Sequence, residues 1–201
     1  IKSVCFNLCY NFSMQFIPTS IPEVIKIQPQ RFDDQRGFFL ESYHQKKFMD
    51  GGITANFVQD NHSLSSQGTL RGLHFQKAPH GQGKLVKVIE GEIFDVAVDI
   101  RPQSPTFGRW VSAVLSAENQ HMLYIPSDFA HGFYVTSPQA QIVYKCTQFY
   151  HPQSDRTLAW DDPAVGIPWP ILPTQPTRLS DKDAQGLSLE TLQREIGRAH
   201  V

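Results

Sequence analysis

The sequence predicts an all-β protein, an antiparallel sandwich or barrel with a few short helices. Many short strand-like runs occur at regular spacing, and turn signals rich in Gly, Pro, Asn and Ser separate them. Fourteen Phe and fourteen Pro suit short strands with aromatic packing and punctuated turns. With 201 residues, of which 40% are hydrophobic, the chain is long enough for one domain with a sizeable core.

The clearest strand is predicted over residues 92–101. Phe94, Val96, Val98 and Ile100 alternate there with Ile93, Asp95, Ala97 and Asp99, so each set occupies one face. Further strands are predicted over residues 24–28, 38–43, 54–63, 109–115, 120–125, 132–135 and 141–149. Residues 44–50 predict a short helix closed by two glycines, and residues 181–196 predict a terminal helix. The proline-rich segment 161–176 is expected to wrap the surface.

Three segments are expected along the chain. Residues 1–13 are interpreted as a leader of upstream or artificially added sequence, because they are short for a signal peptide and lack a clear cleavage site. Residues 14–183 form the predicted domain, and residues 184–201 form a C-terminal helix and tail.

The charge balance excludes several classes of partner. Eighteen Lys and Arg nearly balance nineteen Asp and Glu, which argues against a nucleic-acid or membrane-surface binder. No run approaches the roughly 20 apolar residues that span a bilayer. Cys5, Cys9 and Cys146 cannot form a disulfide framework, so reduced thiols and a cytoplasmic location are expected.

The stretches 68–76 and 82–86 carry the chemistry. Arg71, His74, Gln76 and Lys84 occur there among apolar residues and glycine, within what reads as one strand-like region. Because buried polar groups cost free energy unless something uses them, this pattern predicts a site that binds an anionic ligand and moves protons. His74 suits a general base, and nearby cations would keep its ring neutral.

Two histidines suggest a double-stranded β-helix, the cupin or jelly-roll barrel. Metal-binding cupins carry two histidines one residue apart on an early strand, whereas this chain reads His74-Phe75-Gln76. A later histidine, His131, follows a proline turn that begins at Pro126. Because glutamine is a poor metal ligand, the sequence predicts metal-free chemistry.

Each of these residues also has an ordinary structural interpretation. His74 could be a satisfied core histidine, Lys84 a solvated edge lysine and Tyr144 a core tyrosine. Asp95 and Asp99 are expected to lie on a solvated or hydrogen-bonded barrel face rather than to act as an acid–base pair. Five further histidines are expected to be surface or structural residues: His44, His62, His80, His121 and His151.

Over residues 14–183 the chain resembles the dTDP-4-dehydrorhamnose 3,5-epimerase family. The motifs that carry the resemblance occur in order at residues 32–43, 59–63, 70–76, 82–84, 95–101, 104–108, 129–133, 144–145 and 179–183. The resemblance implies inversion of C3 and C5 of dTDP-4-dehydro-6-deoxy-D-glucose in dTDP-L-rhamnose biosynthesis.

The resemblance also implies a role for individual residues. His74 matches the general base, Asp183 the carboxylate that orients it, Tyr144 the acid on the opposite face of the sugar, and Lys84 the cation that steadies the enolate oxygen. Contacts to the nucleotide sugar are implied for Arg36, Glu41, Gln59, Asn61, Arg71, His131, Asp155 and Lys182. Asp155 stands where the family more often has glutamate, one methylene longer. The family is cofactor-free and homodimeric with an exchanged N-terminal segment, so Arg36 is expected to complete the neighbour's site.

The sequence leaves three alternatives open. The first is an epimerase that inverts a single centre, or a 3,4-ketoisomerase, on a related dTDP-4-keto-sugar. The second is a metal-dependent cupin oxygenase, against which Gln76 argues. The third is a non-catalytic nucleotide-sugar binding module, against which the retained base, acid and lysine argue.

Overall fold

The computed structural model describes residues 13–174 and 176–197 and shows a jelly-roll barrel made of two antiparallel sheets. The strands are β1 (Gln15–Pro18), β2 (Ile25–Gln28), β3 (Arg31–Asp34), β4 (Gly37–Leu40), β5 (Gln59–Ser66), β6 (Leu70–Gln76), β7 (Lys84–Glu90), β8 (Glu92–Asp99), β9 (Trp110–Ser116), β10 (Met122–Ile125), β11 (Phe129–Val135), β12 (Gln139–Cys146) and β13 (Asp155–Thr157). The helices are α1 (Gln45–Asp50), α2 (Asp181–Ala184) and α3 (Leu189–Gly197). The predicted all-β class is confirmed.

The chain moves between the sheets as it proceeds, which produces the jelly-roll order. One sheet has six strands in the order β1-β2-β10-β7-β12-β5, and the other has five in the order β13-β6-β11-β8-β9. Strands β3 and β4 form a separate two-stranded hairpin. Within the described residues, no helix has the length and apolar character needed to cross a membrane.

Strand β8 packs against one apolar cluster on each of its two faces. Ile93 and Ala97 pack between the two sheets, whereas Val96 and Val98 pack on the opposite side in a second cluster with Leu192 of α3. The two alternating sets of residues 92–101 thus lie on opposite faces, as predicted, and both faces are buried. Asp95 and Asp99 are fully buried on this strand and carry hydrogen bonds, so the expectation of a hydrogen-bonded face is correct and that of a solvated face is wrong.

A third cluster covers the outer face of the six-stranded sheet. Phe48 of α1 is 1% exposed and packs with Ile27 and Ile53. Its ring meets the rings of Phe16 and Tyr43 edge-on, at centroid distances of 5.2 and 4.8 Å. Because an isolated helix of this length is unstable in water, this packing stabilises α1.

Some element boundaries differ from the prediction. Strand β4 ends at Leu40, and the segment predicted as a strand over 54–63 becomes β5 only from Gln59. The leader through residue 12, with Cys5 and Cys9, lies outside the described residues, and Cys146 is a buried free thiol.

The terminal helix predicted over 181–196 is two helices. Between them Leu187 N–H donates to the Thr157 carbonyl and Ala159 N–H donates to the Leu187 carbonyl, so this segment pairs with the chain after β13. A Cβ on Gly186 would lie 2.6 Å from the Cα of Ala159, a distance that only glycine tolerates. The close backbone contact interrupts the helix because helical residues could not form it.

Candidate active site

A polar cavity of about 280 Å³ opens between the sheets. Strands β5, β6, β7, β12 and β13 and helix α2 all contribute to its wall. Its lining consists of Gln59, Asn61, His74, Phe75, Gln76, Gln82, Lys84, Tyr144, Tyr150, Asp155 and Lys182. Such a concentration of polar side chains inside a barrel indicates a ligand site.

The residues of stretches 68–76 and 82–86 reach this region from two different sheets. His74 lies on β6 of the five-stranded sheet, whereas Lys84 begins β7 of the six-stranded sheet. The interpretation as one strand-like region is therefore wrong. Strand β7 lies between β10 and β12, so Lys84 is not an edge lysine.

His74 is held by a buried carboxylate. Its Nε2 lies 2.6 Å from Oδ1 of Asp183, which also accepts from the Gly72 N–H at 3.0 Å. The other carboxylate oxygen accepts from Ser180 Oγ at 2.6 Å, within a capping box that begins α2. Asp183 thus caps a helix and orients an imidazole with one side chain.

Opposed influences set the charge of this pair. Burial raises the pKa of Asp183, but hydrogen bonds from His74, Ser180 and Gly72 outweigh it and bring that pKa well below its ordinary value. Burial lowers the pKa of His74, the Asp183 hydrogen bond opposes this, and the charges of Lys182 and Lys84 lower it further. The net direction is downward, so His74 is neutral at pH 7 and can accept a proton.

Lys84 and Tyr144 lie on adjacent strands of the opposite wall. Tyr144 pairs with Val86, and Cys146 pairs with Lys84, in the register of β12 and β7. Burial lowers the pKa of Lys84, and nearby Cys146, Asp155 and Asp95 oppose that change. Burial raises the pKa of the Tyr144 phenol, which therefore keeps its proton at neutral pH.

The cavity rim is a hydrogen-bonded set of the predicted binding residues. Asp155 Oδ2 accepts from Tyr150 Oη at 2.9 Å and is paired with Lys182. Gln59 Nε2 donates to Asn61 Oδ1 at 3.2 Å, and its own Oε1 accepts from the Tyr150 N–H at 3.1 Å.

His131 and Arg71 are placed beside the cavity lining. His131 pairs with His74 in the register of β11 and β6, and its Nε2 lies 2.7 Å from Oδ1 of the buried Asp95. The Arg71 guanidinium donates to Ser65 Oγ at 3.0 Å. Among the cations, Lys182 and Lys84 have the largest charge effects that lower the pKa of His74.

Arg36 and Glu41 lie away from this cavity within one chain. Arg36 pairs with Asp34 at the tip of the β3–β4 hairpin, and its side chain is 90% exposed. Glu41 pairs with Lys47 at 2.7 Å in a second cavity of about 520 Å³ beside that hairpin.

The sequence pointed to Gln76 as part of the site but did not reveal its contacts, and it missed the contacts of Gln82 and the pairing of two histidines. Gln76 and Gln82 hold loop backbones through their amides, which residue type alone does not reveal. His80 and His151, interpreted as surface or structural residues, stack with ring centroids 3.7 Å apart. Within the described ranges, His, Cys, Asp and Glu side chains form no group of three or more that would hold a metal ion.

The fold and the cavity define a jelly-roll protein equipped for acid–base chemistry, with a His–Asp pair on one sheet and a lysine and a tyrosine on the other. The chain belongs to the dTDP-4-dehydrorhamnose 3,5-epimerase family, whose model matches residues 18–191.

Individual relatives agree with this membership. The chain is 52% identical over 174 residues to dTDP-4-dehydrorhamnose 3,5-epimerase of Shigella flexneri, covering 86% of this chain and 94% of that protein. It superposes with a TM-score of 0.87 and 49% identity on the epimerase RmlC of Legionella pneumophila in complex with dTDP-4-keto-L-rhamnose, covering 91% of this chain and 96% of that one. It also resembles ChmJ, a 3'-monoepimerase of Streptomyces bikiniensis, with a TM-score of 0.81, 32% identity and 89% of each chain covered.

Proposed function

We propose that the chain is an isomerase that inverts C3 and C5 of dTDP-4-dehydro-6-deoxy-D-glucose to give dTDP-4-dehydro-L-rhamnose, in dTDP-L-rhamnose biosynthesis. The observation that carries the proposal is that His74, with Asp183 behind it, and Tyr144 line one cavity from opposite sheets. An inverting proton transfer needs a base on one face of the sugar and an acid on the other.

The proposed mechanism uses only proton transfers and therefore requires no cofactor. The C4 ketone acidifies the hydrogens on C3 and C5, and neutral His74 removes one of them to give an enolate. Lys84 stabilises the oxyanion in a cavity where burial strengthens electrostatic attraction. Tyr144 then delivers a proton to the opposite face of that carbon. Solvent water takes the proton from His74 and returns one to Tyr144, and the sequence is repeated at the second carbon.

Asp183 has a supporting role in this scheme. When His74 takes the proton, the carboxylate 2.6 Å away stabilises the imidazolium and keeps the ring in one orientation. The proposed binding residues Gln59, Asn61, Asp155 and Lys182 line the same cavity, where the ammonium of Lys182 suits a diphosphate oxygen. Arg71 and His131 are proposed as further contacts from beside it.

We also propose that the working unit is a homodimer with an exchanged N-terminal segment. The β3–β4 hairpin stands apart from both sheets, and Phe32, Phe38 and Phe39 on it are 52%, 50% and 69% exposed. A two-stranded hairpin with exposed aromatic rings is marginal in water unless something covers it. A second copy of the chain would cover these rings and bring Arg36 and Glu41 to the partner's cavity.

The cytoplasm is the proposed compartment, and neither nucleic acid nor membrane is a proposed partner. The buried free thiol of Cys146 fits a reducing environment, and the near-neutral net charge of -1 supplies no basic surface for polyanions.

Solvent exchange tests the central assignment. In heavy water, the wild-type protein should introduce deuterium at C3 and C5 of dTDP-4-dehydro-6-deoxy-D-glucose, as followed by NMR. His74→Ala should slow this exchange by roughly 10² or more, because the base is lost. Tyr144→Phe should retain exchange but lose inversion.

A matched variant and the site of exchange complete the experiment. His62→Ala removes an exposed imidazole on β5 and should behave as wild type. Exchange that persists in His74→Ala would contradict the base assignment. Exchange at one carbon only would identify a single-centre epimerase of the kind named for ChmJ.

A further inference from the structure

Gln76 is the last residue of β6, two residues after His74. The nitrogen and the oxygen of its side-chain amide both form hydrogen bonds with backbone groups. Its Nε2 donates to the His80 carbonyl at 2.6 Å and to the Phe149 carbonyl at 3.2 Å, while its Oε1 accepts from the His151 N–H at 2.8 Å. The residue is 5% exposed. We call these three bonds the Gln76 clamp.

The clamp joins two loops that lead into the cavity. Residues 77–83 connect β6 to β7, whose first residue is Lys84. Residues 147–154 include Tyr150 and connect β12 to β13, whose first residue is Asp155. The parallel stack of the His80 and His151 rings, with an interplanar angle of 10°, lies between the same loops. Gln82 adds one bond between them, from its Nε2 to the Gln148 carbonyl at 2.7 Å.

We propose that Gln76 is a positioning residue that fixes these two loops and thereby sets the width of the cavity rim where the nucleotide sugar binds. The identity of the ligand rests on the proposed function, whereas the clamp itself rests on geometry alone. Only a side-chain amide supplies two donors and an acceptor at this point. A carboxylate of the same size would face two carbonyl oxygens without a hydrogen to offer.

The clamp is separate from the groups that orient the base. His74 is held by Asp183, and Asp183 by Ser180 and the Gly72 N–H, none of which bonds to Gln76 among the described residues. Loosening the loops should therefore weaken substrate binding while leaving the His74–Asp183 pair in place. The expected signature is a change in KM with little change in kcat.

Gln76→Glu tests this inference, because it removes both donors and keeps the size of the side chain. The KM for dTDP-4-dehydro-6-deoxy-D-glucose should rise about tenfold, whereas kcat should change by less than about threefold. Amide hydrogen exchange in the ligand-free protein should accelerate within residues 77–83 and 147–154. Gln76→Met, which removes all three bonds without adding charge, should give the same pattern and show that lost bonds, not repulsion, cause it.

The matched control is Gln67→Glu. Gln67 Nε2 also donates to a backbone carbonyl, that of Thr136 at 2.8 Å, but it does not line the described cavity. This variant should keep the wild-type KM and wild-type exchange in both loops.

Two results would overturn the inference. One is wild-type KM with unchanged loop exchange in both Gln76 variants, and the other is a fall in kcat with loss of deuterium incorporation at unchanged KM. Failure of the proposed function would look different, since the wild-type protein itself would not turn over the substrate. The loop exchange, measured without ligand, would then still decide whether the clamp exists.

Discussion

His74 combines a strong hydrogen bond to a carboxylate with a lowered pKa, two properties that ordinarily oppose each other. The carboxylate of Asp183 favours the imidazolium, but burial and the charges of Lys182 and Lys84 favour the neutral ring more. The ring is thus a free base before the reaction and has a counter-ion ready when it gains a proton.

The pH profile of kcat/KM should reflect these shifts. His74 must be neutral, and because its pKa is lowered the acid limb should fall below the ordinary histidine value of 6.5. Lys84 must be protonated, and because burial lowers its pKa the alkaline limb should fall below 10.5. Tyr144 has a raised pKa and should not set the alkaline limb.

Initial rates between pH 4.5 and pH 10 check this prediction, and Lys84→Met provides the comparison. That variant should have a depressed kcat and no alkaline limb from an ammonium group. An acid limb above pH 6.5 in the wild-type protein would contradict the lowered pKa of His74.

For individual residues, the sequence predicted which side chains belong to the site better than it predicted their contacts. His74, Lys84, Tyr144 and Asp183 stand out because they occur in recognisable motifs, and the structure places them at or behind one cavity. The work of Gln76 could not be predicted, because its partners are backbone groups in loops, which any residue type provides.

The C-terminal end of β8 is an element whose geometry depends on one buried carboxylate. Asp99 accepts hydrogen bonds from the Arg101 side chain and from the hydroxyls of Ser104 and Thr106, at distances of 2.6 to 2.9 Å. Burial raises its pKa, but these bonds dominate and lower it to about 2. The carboxylate organises the turn that leads towards β9.

Asp99→Asn should destabilise the fold by about 2–4 kcal/mol at pH 7, since it removes the charge and leaves buried donors poorly paired. Because the pKa of Asp99 is lowered in the folded state, its stabilisation is complete above the unfolded value of about 4. It is lost as pH falls towards about 2.

Urea unfolding of both proteins measures this effect. The difference in unfolding free energy should be full at pH 7 and should shrink between pH 4 and pH 2. Asp161→Asn, at an exposed position, is the control and should match wild type throughout. A difference that stays constant across this range would assign the destabilisation to packing instead of charge.

Strands and helices were predictable from the sequence where the residues of a single segment determine its structure. The two faces of β8 follow from alternation within the strand itself. The break between α2 and α3 does not, because Gly186 and Leu187 leave the helix to pair with Thr157–Ala159, about 30 residues away in sequence. Long-range backbone pairing of this kind leaves no periodic pattern.

Across the whole molecule, the β3–β4 hairpin is the feature that a single chain does not explain. We expect wild-type protein to sediment at about twice the chain mass of 22.8 kDa. Phe39→Ser should shift the protein towards monomer, because the hairpin would lose an apolar contact with the partner. The variant should therefore also have a reduced kcat/KM. Ile171→Ser, which also removes an exposed apolar side chain, should remain dimeric.

Subunit mixing tests whether Arg36 serves the neighbouring cavity. Arg36→Ala and His74→Ala should each be nearly inactive alone. Mixed after reversible dissociation, they should regain about a quarter of wild-type activity, because half of the dimers are mixed and each has one complete site. No recovery would place Arg36 at its own chain's cavity, and an active Arg36→Ala variant would place it outside any site.

The capping box that begins α2 also determines when the protein can become catalytically active during its synthesis. Asp183 follows His74 by 109 residues, so the ribosome has made most of the barrel before the carboxylate exists. Until α2 docks, the imidazole lacks the acceptor that orients it and balances its positive charge. Under the proposed roles, a nascent barrel is therefore catalytically silent, and a chain that terminates before residue 180 would be inactive because it lacks Asp183.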